Sequence, residues 1–228
     1  MSHHDPIALR LRRLDVCCVS DALDQLRLPS AVSGLLPRTV PQRIAGPVTT
    51  VRLKEGPPLE GGKPRHLCTA AIEAAPAGGI VVVEQRTGVD AAGWGGMLST
   101  AAAFRKLSGV IVDGPARDID EAATLGFPVY SRSQTARTAR GRVHEAETGG
   151  EIEVGGVAVR TGDWAIADSS GIAFIRMSDI AAVLDAAERL FNREALMTKD
   201  ILAGQPVSQV MGATYEHMLD NRSEETLS

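Results

Sequence analysis

The chain has 228 residues, 44% hydrophobic and 23% charged, with a formal net charge of −4, a composition able to bury a large core. No block of Lys or Arg is present, which argues against nucleic acid or an anionic membrane as partner, and no apolar stretch nears the ~18 residues of a membrane span. The start, Met1-Ser2-His3-His4-Asp5-Pro6, lacks the pattern of a signal peptide. Cys17, Cys18 and Cys68 give neither a disulfide framework nor a Cys-x-x-Cys pair, so the expectation is a soluble, cytoplasmic, reduced protein.

In chain order, Asp5-Pro6 ahead of Ile7, Leu11 and Leu14 predicts an N-capped helix, and Ser20 opens a second short one. Pro and Gly dominate 28–47 before a strand at 48–53. Residues 54–65 carry three prolines and three glycines and read as a loop that could cover a site. An α/β rhythm follows: a helix at 66–75, a buried strand at 79–83, a glycine-rich turn and a helix through Lys106. A second buried strand at 110–113, a short helix capped by Asp118 and a strand at 127–130 continue it. Continuous apolar strands alternating with helices pair in parallel with both faces covered. Beyond Arg142 the short strands 152–154, 157–159, 164–167 and 172–175 are separated by tight-turn sequences and predict antiparallel pieces. Ser178 then caps a long helix to Leu202, closed by Gly204 and Pro206, and a last helix spans 209–219.

Three features could carry chemistry. Gly93, Gly95 and Gly96 surround Trp94 and run into a helix start at Met97-Leu98-Ser99, where unobstructed backbone N–H groups make an anion site; a ligand-free tight turn has the same sequence. The spacing is neither that of a Walker loop nor of a dinucleotide fingerprint. Asp113-Gly114-Pro115-Ala116-Arg117-Asp118 follows a buried strand, at the strand end where open α/β sheets bind ligands. Arg117 offers a planar fork for a carboxylate, and Asp118 a hard oxygen for Mg²⁺ or Mn²⁺, although a helix-capping Asp beside a structural Arg reads identically. On the long C-terminal helix, Glu194 falls inside the apolar arc of Val183, Leu184, Ala187, Leu190 and Phe191. A carboxylate there needs a cation, a metal-bound water or a raised pKa, and a structural ion pair would also serve. His3, His4, His66, His144 and His217 show no ligand spacing, so no zinc site is readable. None of the four lysines, Lys54, Lys63, Lys106 and Lys199, sits on a buried strand where a Schiff base could form.

Taken together, Gly93–Ala102 (Gly-Trp-Gly-Gly-Met-Leu-Ser-Thr-Ala-Ala), Gly109–Asp118 and Gly126-Phe-Pro-Val-Tyr130 resemble the 4-hydroxy-4-methyl-2-oxoglutarate aldolases and the regulator of ribonuclease activity A, the RraA-like family. The similarity extends to Ser20-Asp21-Ala22-Leu23 and to 162–171, and so covers most of the chain. The resemblance implies a layered α/β sandwich similar to the swivelling β/β/α domains. The core would be 1–178, and 179–228 a C-terminal helical extension packing on a neighbouring subunit of a homotrimer or homohexamer. It implies a class II aldolase that releases pyruvate or a related 2-oxo acid and also decarboxylates oxaloacetate. In it Arg117 would bind substrate oxygens, and the Gly95–Leu98 turn, through the Met97 and Leu98 amides, the substrate carboxylate. Asp118 would ligate Mg²⁺ or Mn²⁺, and Glu194 would be an acid contributed to the neighbour's site. Short regulator-type members lack the extension, so its presence favours an enzyme. One departure stands out: the aldolase motif is an Asp, twenty intervening residues and then Arg-Asp, and the Asp position holds Gly96. The expectation is therefore a metal-assisted lyase, with two alternatives: a mainly decarboxylating enzyme on an unusual substrate, or a non-catalytic ribonuclease-binding regulator.

Overall fold

A computed structural model describes residues 5–57 and 66–212. His3, His4, Lys63, His217, most of the 54–65 loop and the expected last helix beyond 212 lie outside the described residues. Asp5 accepts from the Ile7 amide at 2.9 Å and opens α1 (Pro6–Leu11). Asp15 accepts from the Cys18 amide at 2.8 Å and opens α2 (Val16–Gln25), so this helix starts before the expected Ser20. Next come β1 (Leu36–Pro37), β2 (Ile44–Glu55), α3 (Thr69–Ala74), β3 (Ile80–Glu84), α4 (Gly96–Phe104), β4 (Gly109–Ala116), α5 (Ile119–Thr124) and β5 (Val129–Gln134). The antiparallel half holds β6 (Val143–Thr148), β7 (Ile152–Val154), β8 (Val157–Val159), β9 (Trp164–Asp168) and β10 (Gly171–Ile175), and the helices α6 (Ile180–Leu202) and α7 (Val207–Val210) end the described chain.

The strands β2, β3, β4 and β5 pair in parallel, as their unbroken apolar runs require. The full sheet order is β1-β5-β4-β3-β2-β9-β10. Strand β2 is long enough to serve two antiparallel partners along one edge: β9 against Ile44–Pro47 and β6 against Val51–Glu55. The two-residue side-chain period splits each strand between two cores. Val81, Val83, Val110 and Val112 face α3, α4 and α5, whereas Ile80, Val82 and Ile111 face the inner layer with Ala165, Ala167, Ile172 and Phe174. The other face of β9 and β10, Trp164, Ile166, Ala173 and Ile175, packs on α1, α2 and α6. The expected layered α/β sandwich is thus formed, with helices on both outer faces.

Asp179, not Ser178, is the residue flanking α6, and its side chain makes no capping bond. The first half of α6 belongs to its own chain's core: Val183, Leu184, Ala186, Ala187 and Leu190 are buried against α2 and the β9–β10 face. The second half is different, with Leu196 64% and Leu202 83% exposed. Leu184→Ala should therefore cost about 2–5 kcal/mol, as cavities in closed cores do. Leu196→Ala should stay within about 0.5 kcal/mol for the separated chain. Chemical denaturation of both variants measures the contrast, and equal losses would mean that α6 packs along its whole length.

Candidate active site

The glycine turn and the Arg117-Asp118 pair meet because the turn is stitched onto the end of β4. Gly93 N–H donates to the Pro115 carbonyl at 2.9 Å and Arg117 N–H to the Trp94 carbonyl at 3.0 Å, extending the parallel pairing by one step. Trp94 is 1% exposed, stacks on Phe127 with centroids 6.4 Å apart, and donates its indole N–H to Ser99 Oγ at 2.9 Å. Beneath the turn, the buried Gln85 carboxamide donates to the Ala91 carbonyl and presses against Gly93, where a Cβ would lie 2.3 Å from Gln85 Oε1.

Asp118 precedes α5 but does not cap it. It holds a left-handed conformation, φ 55° and ψ 45°, and makes no side-chain bond to its own helix. Asp tolerates this region better than most residues, still at some cost. The carboxylate instead turns to the glycine turn: Oδ2 accepts from the Gly96 amide at 2.9 Å and from Arg117 Nε at 3.2 Å. Gly95 is extended, and its requirement is space, since a Cβ would sit 2.9 Å from Asp118 Oδ2. Gly96 also avoids positive φ, and a Cβ there would meet Asp118 Cβ at 3.1 Å.

The first amides of a helix have no intrahelical partner. Asp118 takes that of Gly96, while those of Met97 and Leu98 have no acceptor among the described residues. The terminal nitrogens of Arg117 likewise have none. These groups open into a pocket of about 180 Å³, which Gly95, Gly96, Met97, Leu98, Arg117 and Asp118 all line. His66, Thr138 and Arg140 complete its wall, and the sequence reading had given none of the three a role there. The signal was present in the arginine-rich loop Thr135–Arg142 after β5, at the same strand-end edge as Arg117.

Glu194 lies elsewhere in this chain. It accepts from Cys18 Sγ at 3.3 Å on α2 and does not line the Arg117 pocket. Its neighbours on α2 are acids and thiols, not cations. Burial and the Glu194 hydrogen bond push the Cys18 thiol well above its ordinary value. Asp21 is raised by burial first, then by Glu194, Asp24 and Asp15.

The RraA-like model, Aldolase/RraA, matches residues 16–174. The chain belongs to this family. A Halalkalibacterium halodurans protein provisionally named as a 4-hydroxy-4-methyl-2-oxoglutarate aldolase is 28% identical over 180 residues, 79% of this chain and 81% of that protein. Protein DlpA of Legionella pneumophila is 23% identical over 191 residues, 84% of this chain, but the match spans only 31% of DlpA. Among solved structures, Streptomyces coelicolor RraAS2, described as an unusual member of the RNase ES inhibitor RraA family, superposes with a TM-score of 0.74 at 22% identity. That match covers 86% of this chain and 98% of RraAS2 and shows a shared fold.

In this RraA-like chain the Asp21–Glu194 contact between α2 and α6 has a pH signature. A carboxyl whose folded pKa is raised stabilises the fold while protonated. That contribution is present below its ordinary value of 3.8 and lost as pH rises through the folded value. Asp21→Asn should therefore raise stability at pH 7, with the gain shrinking toward pH 4. Denaturation midpoints at the two pH values measure this, and a gain independent of pH would show that the charge on Asp21 is immaterial.

Proposed function

We propose that this RraA-like chain is a divalent-metal-dependent carbon–carbon lyase acting on a small 2-oxo acid, releasing pyruvate or a related acid. The observation supporting this is the carboxylate of Asp118, turned from its own helix toward free backbone amides and an Arg with unengaged N–H groups. A structural cap would face the other way.

The donor set suits a hard ion. No group of three or more His, Cys, Asp or Glu side chains that could hold a metal occurs among the described residues, which disfavours a closed protein cage. Mg²⁺ or Mn²⁺ in an enzyme site commonly takes one or two carboxylates and fills the remainder with water and substrate oxygens. Asp118 Oδ1, whose one hydrogen bond among the described residues is from Arg117 Nε at 3.3 Å, would be the protein ligand. When bound, the ion would polarise the substrate carbonyl as a Lewis acid. The Met97 and Leu98 amides would hold the 2-oxo acid's carboxylate at the helix start. The Arg117 guanidinium would stabilise the negative charge that bond cleavage leaves on the carbonyl oxygen. Glu194 has no role in its own chain's pocket on this reading. It would act as proton carrier in a neighbour's site within a homotrimer or homohexamer, reached by the exposed second half of α6.

Gly96 favours decarboxylation over aldol cleavage. The family motif has an acid at this position, and removal of a general acid or base commonly costs on the order of 10²–10⁴ in rate. Loss of CO₂ needs no proton taken from a hydroxyl, so oxaloacetate decarboxylation should be the faster reaction of this chain.

Calorimetry with Mn²⁺ should give saturable binding that Asp118→Asn abolishes, while the variant keeps its thermal midpoint. Pyruvate release from a panel of 2-oxo acids should stop with chelator and return with Mg²⁺; undiminished turnover by Asp118→Asn in chelator would refute the assignment. Gly96→Asp places a second carboxylate near Asp118 at the cost of a few tenths of an ångström of adjustment. It should raise aldol cleavage more than decarboxylation, with Gly96→Ala as the control for strain. Inactive Arg117→Ala and Glu194→Ala chains, mixed and reassembled, should partly restore activity; none restored despite subunit exchange would leave Glu194 structural. A chain that turns over no 2-oxo acid under any of these conditions would be the ribonuclease-binding regulator instead.

A further inference from the structure

We propose that a basic pocket at the far end of β4 binds a small polyanion of phosphate type. This pocket of about 330 Å³ lies where β4 and β5 begin, between the C-terminal ends of α4 and α5 and the chain entering β2. Eight residues of β4 separate it from Arg117 and Asp118, roughly 26 Å at strand rise, so it is distinct from the candidate active site.

Its charged lining is entirely positive: Arg12, Arg43 and Lys106, with no carboxylate among the lining residues. Among the described residues Arg12 and Lys106 have no ion-pair partner. Arg12 reaches only Ser108 Oγ, at 3.2 Å. Arg43 has one distant partner, Asp168 at 3.8 Å, whose carboxylate already accepts from the Val16 amide at 3.0 Å and the Ser170 amide at 2.8 Å. Three cations line one pocket, two of them without an ion pair among the described residues, and an anion would complement their charge. Two guanidinium forks and an ammonium suit the several oxygens of a phosphate or diphosphate better than a single carboxylate.

The backbone places Lys106 on this pocket. Helices α4 and α5 end side by side on this pocket with the same pattern of closing bonds. Lys106 N–H donates to the Ala103 carbonyl and Leu107 N–H to Ala102; Gly126 N–H donates to Ala123 and Phe127 N–H to Ala122. Both residues after the caps are left-handed, at φ 60° and φ 65°. On α5 that residue is glycine, which adopts this conformation freely; on α4 it is Lys106, which does not. The ammonium is not needed to satisfy the last carbonyls, because the backbone already does so. Helix α2 closes in the same way on Arg27, at φ 57°, outside this pocket, so Lys106 counts here for its place on the pocket wall and not for its strain.

Calorimetry at constant ionic strength tests this, with inorganic pyrophosphate and inorganic phosphate as probes and acetate as the monovalent control. Pyrophosphate should bind saturably and more tightly than acetate. Lys106→Gly should weaken it at least tenfold while raising the thermal midpoint by about 2 °C, the opposite of a damaged fold. Arg43→Ala should also weaken binding. Unaltered affinity in Lys106→Gly overturns the proposal, as does loss of binding in Arg117→Ala alone, which would put the anion in the candidate active site. Pyrophosphate binding no tighter than acetate overturns it as well.

Discussion

The candidate site depends on one short stretch of backbone pairing, in which Gly93 and Trp94 hydrogen-bond to Pro115 and Arg117 beyond the end of the regular sheet. Without it, the start of α4 and the residues after β4 would be two unrelated loops. The pairing fixes the helix-start amides against Asp118, and burial of Trp94 on Phe127 keeps the turn from sliding. Glycine at 93 and 95 is the steric consequence. At the first the Gln85 carboxamide occupies the space of a side chain, and at the second Asp118 does. The strained φ of Asp118 follows too, because a relaxed conformation would aim its carboxylate at its own helix.

The division of α6 is the second constraint on function. Its first half is fixed by the same apolar face that seats α1 and α2, so its direction is set by the core. Its second half leaves that core carrying Leu196, Leu202 and the partly buried Glu194. Among the described residues Glu194 meets Cys18 and Asp21 on α2, neither of them a cation.

Much of the frame was legible because the forces behind it are local. Val81–Val83 and Val110–Val112 could only be strands covered on both faces, and the antiparallel pieces after 150 were marked by their turns. What escaped notice was tertiary. Strand β6 alternates His144, Glu145 and Glu147 with little apolar signal, and it exists because the long β2 leaves an edge to be paired. The start of α2 was misread because Asp15, not Ser20, supplies the cap. In the site, Arg117, Asp118 and the glycine turn were readable from their position after strands and from the family resemblance. His66 and Arg140 were not, since nothing in a linear sequence says which loop folds over a strand end.

The absence of an acid at 96 also changes the electrostatics of the pocket, independently of any proton it might have moved. With an acid there, two carboxylates would face Arg117 and Arg140. With glycine, Asp118 stands alone, already sharing one oxygen with the Gly96 amide and the Arg117 guanidinium. The balance then leans positive before any metal enters, which favours a substrate with more than one negative charge and weakens the case for a neutral distal half. On the proposed function it would also loosen the hold on a divalent ion, because one hard anionic ligand competes less well with water than two. On the proposed function, such a chain would gain substrate charge complementarity where it loses metal affinity. The proposed metal site would then assemble most firmly with an anionic 2-oxo acid already in place, whose own oxygens would supply the ligands that Gly96 does not.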